Sequence, residues 1–309
     1  MTTAGYGCLV GSTFCGALAY ADDIVLLAPS INAVRQQLKI CSDYATAYKV
    51  LFNAKKSIII PLCINQLSRI HTMSLPRVEL MGETIEWGTQ EKHLGNIIGQ
   101  YTADSVISSA IKDFNRRVGM LRSHCKWLAP DPLYQLFKSF CMPLYGSVLW
   151  DFSHNSFSRF LTAWRKGIRS LLCLHPRTHC ALLAPICKDF KPETQLLVRL
   201  IKFLRSLNKS KNSLVKTCLT LAMSGSYSAT SQSISVLCSK ANSQRNYIVN
   251  SNVSPYFFFP RDFANNQESF LIRDLLLLRN EAILSPLNVN VFTLSIHEIN
   301  FALNFLCTL

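Results

Sequence analysis

The chain opens on short apolar runs punctuated by glycine. Phe14 to Tyr20 and Ile24 to Ala28 are two such runs, with Asp22 and Asp23 between them. That pattern predicts two strands around a tight turn, with the carboxylates at the bend. Pro29-Ser30 ends the second strand, and Ser30 is placed to cap a helix. From residue 31 to residue 50 the apolar positions Ile31, Val34, Leu38, Cys41, Ala45 and Tyr48 recur at helical spacing, with Arg35, Gln36, Lys39 and Asp43 between them. This predicts a helix laid over one side of a sheet. Asn53 to Ser57 reads as a turn, Ile58 to Ile60 as a β-branched strand, and residues 77–100 as a small antiparallel hairpin with Gly82 and Gly88 as punctuation.

After residue 103 the periodicity becomes helical. A break at Ala129-Pro130-Asp131-Pro132 puts Asp131 in position to cap the next helix, and residues 156–174 and 193–208 repeat the amphipathic type. Residues 209–255 are rich in Ser, Asn and Lys and read as containing a linker. Residues 265–285 predict one more helix, and the last twenty residues are apolar. The expected fold is therefore α+β, with a sheet and covering helix over residues 1–102, a helical region over 103–210, and a linker with a helical tail over 211–309.

Charge changes this picture. The chain has 32 Lys and Arg against 18 Asp and Glu, a formal +14. Residues 104–216 hold 19 basic and 6 acidic side chains, while residues 1–103 hold 8 and 7 and residues 217–309 hold 5 and 5. The surplus is confined to the middle of the chain, which favours a polyanion as partner, nucleic acid above all. The twelve cysteines are scattered without regular spacing, which suits reduced thiols in a cytoplasmic or nuclear protein rather than a secreted one. The first 21 residues carry no charge but lack a basic leader and are interrupted by glycine, so a signal peptide is not expected, and no long continuous apolar run predicts a membrane span. Cys173, His175, His179, Cys180 and Cys187 cluster, but their spacing fits no zinc pattern and zinc is not expected.

The chemistry lies in Tyr20-Ala21-Asp22-Asp23. Adjacent carboxylates between apolar strands call for compensation if they are buried, and a divalent cation with oxygen preference supplies it. The plain alternative is a solvated turn, for which Asp is a common residue.

These four residues and the following IVLLAPS resemble the YADD box of reverse transcriptases of non-LTR (LINE-type) retrotransposons. Further segments resemble the family in the same order. Gly5-Tyr6-Gly7-Cys8 is similar to the lead-in. Asn53-Ala54-Lys55-Lys56-Ser57 is similar to the turn whose lysine approaches the incoming nucleotide. His93-Leu94-Gly95 resembles the primer-grip Tyr-Leu-Gly with His in place of Tyr, and Leu144-Tyr145-Gly146 with Trp150 resembles a segment after the palm. The resemblance covers roughly residues 5–150 well and the helices to about 210 weakly.

It implies a partial palm with an antiparallel sheet and covering helix, then an all-helical thumb-like region. Asp22 and Asp23 would hold Mg²⁺ (or Mn²⁺) for two-metal nucleotidyl transfer, and Lys56 would assist at the triphosphate. Tyr20, Leu94, Gly95, Arg116, Arg117, Arg122, Lys126, Arg165, Lys166 and Arg169 would meet an RNA template paired with a DNA primer. Tyr145 and Trp150 are expected to be packing residues of a helix. The family's site takes a third carboxylate from an earlier palm strand, and the nineteen residues before Tyr20 contain no Asp or Glu. The expectation is a C-terminal fragment of an RNA-directed DNA polymerase that is inactive alone. Two other classes stay open: a non-catalytic nucleic-acid-binding protein, and a functionless relic of a retroelement.

Overall fold

The computed structural model describes residues 5–62, 75–99, 103–225 and 228–259. The predicted helix at 265–285 and the apolar end of the chain lie outside them. The chain divides into two compact units, one of residues 1–102 with 204–231 and the other of residues 103–203 with 232–309.

In the first unit the strands form five separate two-stranded ladders. β1 (Cys8–Val10) pairs antiparallel with β2 (Thr13–Cys15), and β3 (Ala17–Tyr20) pairs antiparallel with β4 (Asp23–Leu26). The single predicted lead-in strand from Phe14 to Tyr20 is thus divided at Gly16. There the glycine carbonyl accepts from the Leu27 N–H at 2.9 Å and leaves the β1–β2 register. β5 (Ile58–Ile59) pairs in parallel with β8 (Glu86–Trp87). β6 (Glu79–Leu80) and β7 (Glu83–Thr84) form one hairpin, and β9 (Gln90–His93) and β10 (Asn96–Gly99) form another. The predicted lone hairpin of residues 77–100 is therefore two hairpins with a parallel bridge to residue 58 between them. Met81-Gly82 and Leu94-Gly95 are their two-residue turns, and all four residues have positive φ, the conformation that matches the twist of paired strands.

Helix α1 (Ile31–Tyr48) forms as its periodicity predicts. The Ser30 side chain accepts from the Ala33 N–H at its start, and Lys49 closes it in the left-handed conformation. Its inner face places Leu38 and Cys41 in a small core with Ala54, Val78, Leu80 and Ile85, against which Leu26, Val34, Phe52, Ile59 and Trp87 pack. Helix α7 (Ser213–Met223) also belongs to this unit, and Thr217 Oγ1 lies 2.9 Å from Thr13 Oγ1 of β2.

The second unit is helical. α2 (Ala103–His124), α3 (Pro130–Phe140), α4 (Asn155–Leu171), α5 (Cys180–Ile186) and α6 (Pro192–Asn208, as far as Phe203) lead into α8 (Ala229–Ala241, from Gln232) and α9 (Arg245–Asn250). The cap of α3 is Ala129, with Pro130 in the first turn and no side-chain cap bond. Asp131 therefore sits inside the helix rather than capping it. Proline satisfies that position because its missing N–H is one the helix leaves unpaired anyway. The core is aromatic: Phe114 of α2 meets Phe137 of α3 and Phe160 of α4 edge-on, and Trp150 meets Phe160 the same way. Gly167 of α4 lies against the Phe114 ring, where an added Cβ would come within 3.2 Å of it.

Residues 213–250 hold three helices where composition predicted a linker. Asn212 starts the first by accepting from the Leu214 and Val215 N–H groups, and serines line the second. Two of those serines are buried in α8, Ser231 and Ser233. Ser233 Oγ accepts from Phe152 N–H and donates to the Trp150 carbonyl. No helix among the described residues is long and apolar enough to cross a membrane.

Candidate nucleotidyl-transfer turn and basic helices

Ala21 and Asp22 form the two-residue turn between β3 and β4, and Asp23 is the first residue of β4, opposite Tyr20. The carboxylates thus lie at a hairpin bend, where the sequence places them. Their environment is that of the plain alternative, a solvated turn. Every residue of β3 is exposed, as are Asp22, Asp23 and Ile24, and Tyr20 is 65% exposed. Among the described residues no further strand pairs with this hairpin. Solvated carboxylates carry no desolvation cost to offset, so burial gives no reason for a bound cation here. What remains is adjacency: neither Asp22 nor Asp23 has a hydrogen-bond or ion-pair partner among the described residues, so four carboxylate oxygens are open to a ligand. Among the described residues no group of three or more His, Cys, Asp or Glu side chains could hold a metal ion together.

The turn itself is strained. Ala21 has φ of 51°, in the left-handed region, at a cost of about 1–3 kcal/mol for a residue with a Cβ. Leu94, at the tip of the β9–β10 hairpin, has φ of 47°. Met81 shares the feature at φ 54° without any expected role, so strain alone does not distinguish the two candidate turns.

The base of the β3–β4 hairpin is held by a residue that periodicity alone did not single out. Gln37 is fully buried on α1, and its Nε2 donates to the carbonyls of Gly16 and Leu27, both at 3.0 Å, and to that of Tyr6. With two hydrogens for three acceptors, one N–H is shared. The only signal in the sequence was an amide beside Leu38 on the apolar stripe.

Lys56 closes a short 3-10 turn, Ala54–Lys56, capped by Asn53, whose side chain accepts from the Lys56 N–H at 3.1 Å. Ser57 Oγ donates back to the Asn53 carbonyl at 2.9 Å. Ala54 is buried while Lys55 and Lys56 are exposed, so the turn anchors through its alanine and presents both lysines. Ala54 and Leu26, three residues beyond Asp23, pack into or against the same small core. The two predicted elements therefore share one support.

The basic residues of the helical unit fall into two groups. Arg117 donates to the carbonyls of Phe140 and Pro143 at the end of α3. Arg169 clamps the Thr178 carbonyl through two nitrogens, at 2.8 and 3.1 Å, and reaches Cys180 Sγ. Arg116 pairs with Asp113 at 3.7 Å. Arg122, Lys126, Arg165 and Lys166 have no such partner among the described residues. The first two and Lys166 are exposed, and Arg165 is half-buried. At the start of α2, Asp104 binds Ser156 Oγ and Arg159. The Ser156 hydrogen bond first, and Arg159 after it, hold its carboxyl below the usual range.

The Leu144-Tyr145-Gly146 segment is a turn, with Gly146 at φ 71° leading into a 3-10 turn over Ser147–Leu149. Trp150 follows it in extended conformation, 4% exposed and packed on Phe160, so it packs as expected but not within a helix. Tyr145 is 73% exposed. It does not pack in a helix, because Gly146 turns the chain directly after it. No known protein family, no curated protein and no solved structure matches the chain.

Proposed function

We propose that the chain carries part of the nucleotidyl-transfer site of an RNA-directed DNA polymerase of the non-LTR retroelement type. The observation that supports this reading most is the Tyr20-Ala21-Asp22-Asp23 hairpin bend with two unpartnered carboxylates. It is supported on the same core as the Asn53–Ser57 turn that presents Lys56. Oxygen ligands from Asp22 and Asp23 suit Mg²⁺ or Mn²⁺, with water and phosphate completing the coordination. A divalent ion in such a site neutralises charge on the oxygens of an in-line phosphoryl transfer. In this reading Lys56 offers a cation to the triphosphate, and Leu94-Gly95 offers a tight backbone turn to the primer. The unpaired Arg122, Lys126, Arg165 and Lys166 meet the phosphates of template and primer, while Arg117 and Arg169 serve the fold.

Two carboxylates make one wall of a two-metal site. Positioning and charge stabilisation supply nearly all of phosphoryl-transfer catalysis, so the chain by itself is expected not to extend a DNA primer on an RNA template. It is expected to bind Mn²⁺ weakly, with enhanced water-proton relaxation that Asp22→Asn/Asp23→Asn loses. Mn²⁺ binding equal in the variant would defeat the metal-site reading. Template-directed extension abolished by the same variant would defeat only the incomplete-site reading. Binding without catalysis is the second reading, favoured by the free cations of the helical unit. It predicts duplex affinity that falls steeply with salt and is indifferent to both aspartates.

A further inference from the structure

Between α2 and α4 runs an open furrow of about 360 Å³, lined by Asn115, Ser158, Arg159, Thr162 and Lys166 among others. The two helices run in parallel: Asp104 at the start of α2 binds Arg159 near the start of α4, and Gly167 further along meets Phe114 and Val118. The furrow therefore has a direction. On α2 the positions Asn115, Gly119 and Arg122 succeed one another at i+4 and i+3 and share one side of the helix. A Cβ on Gly119 would touch nothing within 4 Å, so the path over this row is unobstructed. Lys126 lies in the turn that follows the helix end at His124. Arg159 is matched by Asp104, but Lys166 in the furrow, Arg122 on the row and Lys126 just past the helix are unmatched cations among the described residues.

Trp127 lies in the turn after α2, 64% exposed. Its indole N–H donates to the His124 carbonyl at 3.0 Å, which satisfies the polar edge and fixes the ring while leaving its π-surface uncovered. A ring held in this way offers a flat face that a planar partner can cover. The tryptophan's neighbours Ser123, His124 and Lys126 are polar and exposed.

We infer that the α2–α4 furrow is a track for single-stranded nucleic acid, with Lys166, Arg122 and Lys126 along the phosphates and Trp127 as a platform on which one base stacks. A positively charged groove ending in an exposed aromatic suits an unpaired strand, whose bases offer free faces, better than a duplex, whose bases are already stacked. The inference uses Arg122, Lys126 and Lys166, which the polymerase reading sets against template and primer phosphates, but gives them an unpaired strand and needs neither aspartate.

The test is fluorescence anisotropy of a labelled dT oligonucleotide and of a duplex of equal length with the full chain. Trp127→Ala should weaken the single strand roughly 5- to 100-fold, with Trp127→Phe retaining most of the affinity and the duplex little affected. Replacing Lys166, Arg122 and Lys126 together by Ala should lower the salt slope for the single strand by about two. Single-strand affinity unchanged in Trp127→Ala, or an equal loss for strand and duplex, would overturn the track. So would Trp127-dependent binding to phosphatidylserine vesicles without binding to the oligonucleotide, which would assign the tryptophan to a membrane surface. All three outcomes can be read whether or not the chain binds Mn²⁺.

Discussion

Gln37 shows how much a single buried side chain can govern. It ties Tyr6, Gly16 and Leu27 to α1, so the hairpin that bends at Asp22 keeps its root although β3 is exposed throughout. Its own Oε1 is buried without a partner, a cost the three donated bonds offset. Gln37→Leu should lower stability by about 1–3 kcal/mol, measured by urea denaturation. Gln37→Glu should be worse at neutral pH, since it aims a carboxylate at three carbonyls, and should recover in part on acidification as the new carboxyl protonates and can donate. A glutamate variant as stable as wild type would show that the three carbonyls find other donors. Tyr145 shows the converse: a motif identity says nothing about burial, and Gly146 beside it decided the matter.

At the scale of the element, the parts legible in the sequence are those whose causes are local. Ser30 and the spacing of Leu38, Cys41 and Ala45 are sufficient to specify α1, and the amphipathic pattern places α4 and α6 within a few residues of their observed ends. The two-residue bend at Ala21-Asp22 was legible for the same reason. Pairing was not. Ile58-Ile59 finds Glu86-Trp87 across an intervening stretch of chain, and the spacing of apolar residues does not encode a partner so far away. The helices of residues 213–250 were obscured because serine fills inward positions there, with Ser233 bonded to the backbone at Trp150 and Phe152. Two glycines of the α2–α4 pair make the packing testable. Gly167→Leu should cost about 1–3 kcal/mol by forcing α4 away from Phe114. Gly119→Ala, in open space on α2, should gain about 0.5–1 kcal/mol from helix propensity. Opposite shifts in thermal midpoint are expected, and equal shifts would contradict the observed contact.

For the whole molecule, burial divides the thiols. None of the ten cysteines among the described residues is in a disulfide. Burial raises the Cys141 thiol to about 11, and raises Cys187 further, with the Asp189 charge adding to it. Both should resist iodoacetamide at pH 8 in the native chain, while exposed Cys173, Cys180 and Cys218 react. Peptide mass spectrometry would read this, and rapid labelling of Cys187 would show that its surroundings open. The β3–β4 ribbon has a different consequence. Among the described residues no strand pairs with either of its outer edges, beside exposed Leu18 and Ile24, and such a margin is a template for strand addition. The acidic bend at its tip sets like charges against each other when two ribbons meet tip to tip, but leaves side-by-side stacking unopposed. The ribbon is thus where self-association in concentrated solution should begin, and a lysine at position 18 or 24 should suppress it.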